Sequence, residues 1–421
     1  MHLSFPGIKW PLKPRSALLI LLVIIFTQAL TGVGARRDPD SGEIRLLHLG
    51  KVWPLPRHPG PIFSAEPRIS WNPVPSYFTP DCICHHATTY GEREVRELRT
   101  KLPRSRDGLV GKYDVILIDA MFALDMPAHL SRWIVGGVEE DGLGFMMVDD
   151  EVTFAGRGLA PSWYLTPIGD ILPVDDTPGY FGWNERFQID PVKSGHPLVR
   201  GLDFEGIWLE ANNRPTPKVG STVIAEMSSG NPWNSGKPAI VFWDVGLGRV
   251  LAYIHRWHSG SGNFYTWKYH PDFLCHTIYF AAGESIPGDL ELVHDLRETM
   301  AEVESEIMVL VSTMDLADKF GANLGKVNSE LSEIHSQKRE ADRLYIDQEL
   351  EASMVRLTQI LNDLKSLVNR TLKLKDGAMM WIFAIQWLTV TGTTMVAGFV
   401  VWSLMIKRRL YSEVGITRST G

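Results

Sequence analysis

From Ala378 to Ile406 the chain runs for twenty-nine residues without a charged side chain. About 20 apolar residues are enough for a helix to cross the hydrocarbon core of a bilayer, where the backbone must satisfy its own polar groups. The segment therefore predicts one transmembrane helix at 378–406. Trp381 and Trp387 lie toward one end and Trp402 toward the other, as aromatic residues at membrane–water interfaces do. Lys407, Arg408 and Arg409 come directly after it, which places residues 407–421 in the cytoplasm as a short tail. At the other end Lys9, Lys13 and Arg15 precede the apolar run from Ala17 to Phe26, and Val33-Gly34-Ala35 offers small residues for cleavage. Residues 1–35 thus read as a secretory signal peptide or as an uncleaved N-terminal anchor. Both readings put the globular region outside the cytoplasm, on a cell membrane or a membrane of the secretory route.

Between these ends the composition is that of a folded protein, with 44% hydrophobic and 22% charged residues. A net charge of −7 without a long basic run gives no concentrated positive face for phosphates, so nucleic acid is not an expected partner. Residues 44–284 read as one α/β domain. Ile44 to Leu49 is a short apolar strand, and the proline-rich stretch from Pro54 to Pro80 is expected to be mostly irregular. A helix is expected from Glu92 to Leu102. The continuous apolar runs around Val115–Ile118 and Gly144–Val148 read as buried central strands. Leu130 to Glu140 has helical spacing, and Asp272 to Ala282 suits a closing helix. Ala239–Asp244 and Arg249–His255 form a hairpin around Gly246-Leu247-Gly248. Alternating strands and helices imply a mostly parallel sheet covered on both faces.

Residues 288–376 have a different pattern. Val293, Leu296, Met300, Val303, Ile307, Leu310 and Met314 alternate spacings of three and four, a coiled-coil seam. Gly321 and Gly325 interrupt it, and a second seam runs through Leu350, Met354, Leu357, Leu361 and Leu364. Two long helices are expected, as a stalk or a hairpin, with apolar stripes that suit a homo-oligomer or a partner protein. Asn369-Arg370-Thr371 is a glycosylation sequon.

Several stretches of the globular region resemble a branch of the class I glutamine amidotransferase-like proteins. They are Tyr113 to Asp119, Gly142 to Asp150 with Phe154-Ala155-Gly156, Thr166 to Val174, His196-Pro197-Leu198, and Gly246 to Ala252 continuing to Trp257. Order and spacing agree over about residues 110–284. The resemblance implies a flavodoxin-like α/β sandwich. A working member carries a cysteine on the sharp turn after a central strand, and a His-x-Glu pair downstream. Here the turn after Met146-Met147-Val148 holds Asp149 and Asp150, and His255 is followed by Arg256 and Trp257. With neither nucleophile nor orienting carboxylate, glutamine hydrolysis of the family type is not expected.

Strand ends are where open α/β sheets bind ligands. Asp119, Asp149, Asp150 and Glu151 are expected to converge there, with His255, Trp257 and His258 after the last strand. Such a set suits a cation or a polyol; equally, Asp149 and Asp150 can serve only as turn and cap residues. Cys82-Ile83-Cys84-His85-His86 groups soft ligands in a spacing too tight for a standard zinc motif. Cys275 could bridge to Cys82 or Cys84, or all three can remain thiols. Trp233, Trp243, Trp257, Trp267, Phe264 and Tyr265 are expected either to pack in the core or to grip a sugar or peptide. No cofactor is implied. Three functions are compatible with these features: a non-catalytic ligand- or partner-binding module at a membrane, an extracytoplasmic hydrolase using carboxylates, histidine or a metal, or a mainly structural assembly protein with the helices as its active part.

Overall fold

The computed structural model describes residues 34–50, 59–75, 102–123, 126–148, 153–154, 162–175, 185–211, 213, 215–232, 234–257 and 262–417. The chain divides into two compact units, Met1–His294 with Tyr345–Gln348, and Asp295–Leu344 with Glu349–Gly421.

The first unit is built on a nine-stranded mixed sheet. Its strands are β1 (Ile44–Gly50), β2 (Ile69–Pro75), β3 (Val115–Asp119), β4 (Gly144–Val148), β6 (Glu185–Asp190), β7 (Trp208–Ala211), β9 (Thr222–Ser228), β10 (Pro238–Val245) and β11 (Gly248–Tyr253), in the order β2-β1-β3-β4-β11-β10-β9-β6-β7. The first five in that order run parallel, and β10, β9, β6 and β7 extend the sheet antiparallel. A separate pair joins β5 (Val174–Asp175) to β8 (Thr216–Pro217). The parallel half is buried on both faces, which is why β3 and β4 read as unbroken apolar runs rather than alternating ones.

Alternate residues of these strands feed two cores. Leu46, Val115, Leu117 and Met146 pack with Phe63 of α1 (Pro59–Ala65) and with Phe273 and Ile278 of α5 (His270–Ala281). Leu47, Ile116, Ile118 and Phe145 pack on the other side with α2 (Arg106–Lys112), α3 (Ala128–Asp141) and α4 (Pro167–Ile171). On α3, Leu130, Ile134 and Val138 recur every four residues and are all buried. Each such side chain contributes about 1.5–3 kcal/mol by leaving water. The hairpin turn closes against α3: a side chain at Gly246 (φ 58°) would sit 2.1 Å from the Glu139 carbonyl oxygen.

Two expectations need correction here. The proline-rich stretch is not mostly irregular, since it contains α1 and β2. Pro59 begins α1, where a missing N–H is one of the helix's unpaired donors anyway. Pro73 and Pro75 lie on the edge strand β2, where an absent N–H need not break the ladder. The parallel arrangement covers only the first half of the sheet; β6, β7 and β9 lack the strong apolar runs that made the central strands legible. The helix expected at Glu92 to Leu102 lies outside the described residues, apart from Leu102 itself.

The second unit holds most of α6 (Leu290–Lys319) and α7 (Gly325–Ile346), together with α8 (Leu350–Thr417). Three helices stand where two were expected. The additional one, α7, shows a narrow apolar stripe, with Val327, Ile334 and Ala341 buried at seven-residue intervals. That stripe is too thin to stand out in a polar segment. Leu296, Met300, Val303, Ile307 and Leu310 of α6 are buried, as are Leu357, Ile360, Leu364 and Leu367 of α8. Ion pairs tie the helices: Glu304 to Lys338 at 3.1 Å, Glu302 to Lys365 at 2.8 Å, Glu340 to Arg356, and Glu330 to Arg370. The pattern is an antiparallel three-helix bundle: α6 runs out, α7 returns, α8 runs out again. The sequon at Asn369 lies within α8, where Thr371 is buried and its hydroxyl donates to the Leu367 carbonyl.

Beyond the bundle α8 continues without interruption through 378–406. It is long and apolar enough to cross a membrane, and its large apolar side chains there are exposed.

Candidate functional site

The carboxyl ends of β1, β3, β4 and β11 share one edge of the sheet. Asp119, the last residue of β3, is fully buried. By strand alternation it shares a face with Val115 and Leu117, the face covered by α1 and α5. Immediately after it Ala120 adopts a left-handed conformation, φ 50°, a strained geometry for a residue with a side chain. Beside it β1 ends at Gly50, paired with Asp119 in the ladder. Gly50 has φ 120°, and a Cβ there would lie 1.9 Å from the Asp119 carbonyl oxygen. Gly50→Ala is therefore expected to destabilise the unit by roughly 2–3 kcal/mol, combining backbone strain with a clash. Chemical unfolding of the variant measures it; a loss below about 0.5 kcal/mol would mean the two strand ends do not approach this closely.

Asp119 gathers two partners from distant parts of the chain. Trp257 Nε1 donates to Asp119 Oδ2 at 3.0 Å. His48 Nε2 lies 3.3 Å from the same oxygen, close but not aligned as a hydrogen bond, and both side chains are fully buried. The other nitrogen of His48, Nδ1, accepts from Trp71 Nε1 at 3.2 Å. An indole N–H only donates, so Nδ1 is unprotonated and the proton of the neutral ring sits on Nε2, toward Asp119. Phe63 closes this cluster edge-on, 6.1 Å from His48 and 5.9 Å from Trp257. His270 Nε2 lies 2.8 Å from the Trp257 carbonyl, which fixes the loop after β11 to the start of α5.

A carboxylate–histidine pair is half of a nucleophile-activating relay. Here the far nitrogen of the histidine meets Trp71, whose indole cannot attack.

His255 is the second feature of this edge. It lies two residues past β11, is fully buried, and its ring stands 4.1 Å from that of Phe187. Neither ring nitrogen has a hydrogen-bond partner among the described residues. Burial holds its pKa down at about 3, so the ring is neutral at physiological pH. The Tyr253 hydroxyl at the end of β11 is also buried without a partner among the described residues, and burial pushes its pKa well up. Buried polar groups are nearly always hydrogen-bonded, so adjacent exceptions ask for a reason. Around them stand Phe264, Phe273 and Trp257, their rings 6.0, 5.6 and 6.3 Å from that of Tyr253. The aromatic loop is clipped to β7: the Trp208 N–H donates to Asn263 Oδ1 at 2.7 Å, and Asn263 Nδ2 donates to the Gly206 carbonyl at 2.9 Å.

Of the residues singled out from sequence, Asp119 and Trp257 are in direct contact, and His255 lies near the same edge without contact to Asp119 among the described interactions. Asp149, Asp150, Glu151 and His258 lie outside the described residues, as do Cys82, Cys84, His85, His86 and Trp233. Cys275 is buried on α5. Trp257, Trp267 and Phe264 are buried, while Trp243 and Tyr265 are partly exposed. Among the described residues no three His, Cys, Asp or Glu side chains are grouped to hold a metal ion. Sequence reading passed over His48, Trp71 and Tyr253. A histidine inside the apolar run Ile44–Leu49 was the available signal, because a polar residue in a buried strand needs a partner.

Residues 109–282 match the family model described as "Putative glutamine amidotransferase". No curated protein matches the chain. Among solved structures, a cytoplasmic protein of Salmonella typhimurium, STM3548, is 16% identical with a TM-score of 0.42, covering 56% of this chain and 98% of its own. A second, STM1381 from Salmonella typhimurium LT2, is 17% identical with a TM-score of 0.42, covering 56% and 99%. A cold-adapted β-galactosidase from Rahnella sp. R3 is 15% identical with a TM-score of 0.30, covering 42% of this chain and 23% of that one.

Proposed function

We propose that the amidotransferase-like region is a non-catalytic binding module, of flavodoxin-like type, held outside the cytoplasm by α8. The observation that carries this reading is the wiring of His48. Its one nitrogen faces Asp119 and its other takes a proton donor from Trp71, so among the described residues the carboxylate–imidazole pair meets no nucleophile. The sequence supports it further, with no cysteine at the turn after β4 and no acidic residue two positions after His255. The ligand is a small polar molecule with an apolar face, a sugar or a peptide side chain. It would satisfy His255 and Tyr253 within the aromatic surround, where stacking and hydrogen bonding reinforce each other.

The test uses full-length protein in lipid nanodiscs. Incubated with L-glutamine it is expected to release no glutamate above a protein-free control. Screened by thermal shift against neutral mono- and disaccharides and short peptides, it is expected to be stabilised by at least one, and His255→Phe is expected to abolish that shift. Sustained glutamate release would overturn the non-catalytic reading. A screen without any shift would overturn the small-ligand reading and leave a protein partner, reached through the helical unit. Protease added to sealed vesicles from the producing cells tests the orientation: the tail after Arg409 is expected to be cleaved only from the cytoplasmic side.

A further inference from the structure

The helical unit ends in an apolar tip at a level where a water-facing bundle has no use for one. The ion pairs give the axial register. Glu302 of α6 is level with Lys365 of α8, and Glu330 of α7 with Arg370. Neighbouring helices climb together at about 1.5 Å per residue. Continued outward from these pairs and from Glu340–Arg356 and Thr299–Met354, the end of α6 at Lys319 and the start of α7 at Gly325 come level with about residues 371–382 of α8. That interval contains Ala378, the first residue of the uncharged segment. The turn between α6 and α7 is therefore held at the depth where α8 becomes apolar.

Its residues fit that depth. Leu316, in the last turn of α6, is exposed, and Phe320 and Leu324 on the turn are only partly covered. Gly321, with φ 74° and open space around it, makes the reversal. Lys319 and Lys326 flank Phe320 and Leu324 and are exposed, while Leu316 lies between the exposed Asp315 and Asp318. A turn between helices in water is ordinarily polar. Leucine and phenylalanine between lysines is instead the composition of a segment lying in a lipid interface, with lysines reaching the headgroups.

We propose that this tip is a second membrane contact, in which Leu316, Phe320 and Leu324 insert into the headgroup layer of the bilayer that α8 crosses. The contact rests on the reading of α8 as a membrane anchor. A rigid helix running from bundle to bilayer supplies the continuity, and the tip then fixes the tilt of the bundle that a single anchor would leave free.

The experiment places the unaltered full chain in phosphatidylcholine vesicles containing a fraction of phosphatidylcholine with a photoreactive diazirine near the glycerol. After illumination, lipid adducts are mapped by mass spectrometry. Adducts are expected on peptides from 378–406 and also on the peptide containing residues 316–324. In Leu316→Asp/Phe320→Asp, whose helix content is checked by circular dichroism, adducts on 316–324 are expected to be lost while those on 378–406 persist. Adducts on 378–406 with none on 316–324 in the unaltered chain would overturn the tip contact and leave the anchor standing. No adducts on 378–406 would overturn the anchor, and the tip contact with it.

Discussion

Asp119→Ala is expected to destabilise the first unit by roughly 2–4 kcal/mol, because it orphans the buried Trp257 donor at about 1–3 kcal/mol and leaves a void beside it. Trp257 Nε1 would lose its hydrogen bond to the carboxylate, and His48 Nε2, 3.3 Å from the same oxygen without being aligned to it, would lose its polar neighbour. Neither group can reach water, since both side chains are fully buried. For a unit of this size each kcal/mol lowers Tm by about 2–4 °C, so a drop on the order of 10 °C is expected. Asp119→Asn keeps an oxygen that can accept from Trp257 and should lose less than half as much. A thermal melt of the two variants beside the parent decides it. Equal losses for Ala and Asn would show that charge, not hydrogen bonding, holds the cluster. A loss below about 1 kcal/mol in the alanine variant would show that Asp119 does not hold it at all.

The second large effect is acid sensitivity centred on His255. In the folded chain burial keeps this ring unprotonated down to about pH 3, whereas an unfolded histidine takes up its proton near 6.5. Below that value the unfolded state binds a proton that the folded state refuses, so the stability present at neutral pH is lost as pH falls. The slope approaches about 1.4 kcal/mol per pH unit and the loss totals about 4–5 kcal/mol by about pH 3. His255→Phe removes the titrating group and its two buried nitrogens while preserving shape against Phe187. It is expected to match or exceed parent stability at about pH 7 and to flatten the acid limb between about pH 6 and pH 3. Urea midpoints measured across that range test it. A variant as acid-sensitive as the parent would place the acid response elsewhere. If the same substitution that stabilises the fold also abolishes ligand-induced thermal shifts, the buried histidine is retained for binding rather than for stability.

Asp119 and Trp257 were visible in the sequence as separate marks, one at the end of a β-branched run and one in an aromatic-rich segment. Their hydrogen bond spans 138 positions, and no local pattern encodes it. His48 was hidden for the opposite reason. Hydropathy merged it into its strand, and only the register of β1 beside β3 brings its ring to Asp119. Trp71 was masked by the prolines around it, which are compatible with an edge strand but suggest none. His255 carried a signal of residue type, yet its apolar setting is a property of the packed surround. Likewise α7, with its thin buried stripe, needs α6 and α8 beside it to define its apolar side.

By itself the sequence determined the features that depend on local chemistry: the uncharged helix of 378–406, the buried central strands, the α6 seam and the absence of a cysteine after β4. Each arises from hydropathy or periodicity along a short stretch, which neighbouring residues set without reference to the rest of the chain. Only the tertiary structure decided the antiparallel half of the sheet, the return of α7 and the joining of His48 and Trp71 to Asp119 and Trp257. Those depend on strand order and register, where one residue of slip turns a side chain to the opposite face, and such pairings are fixed by the energy of the whole core.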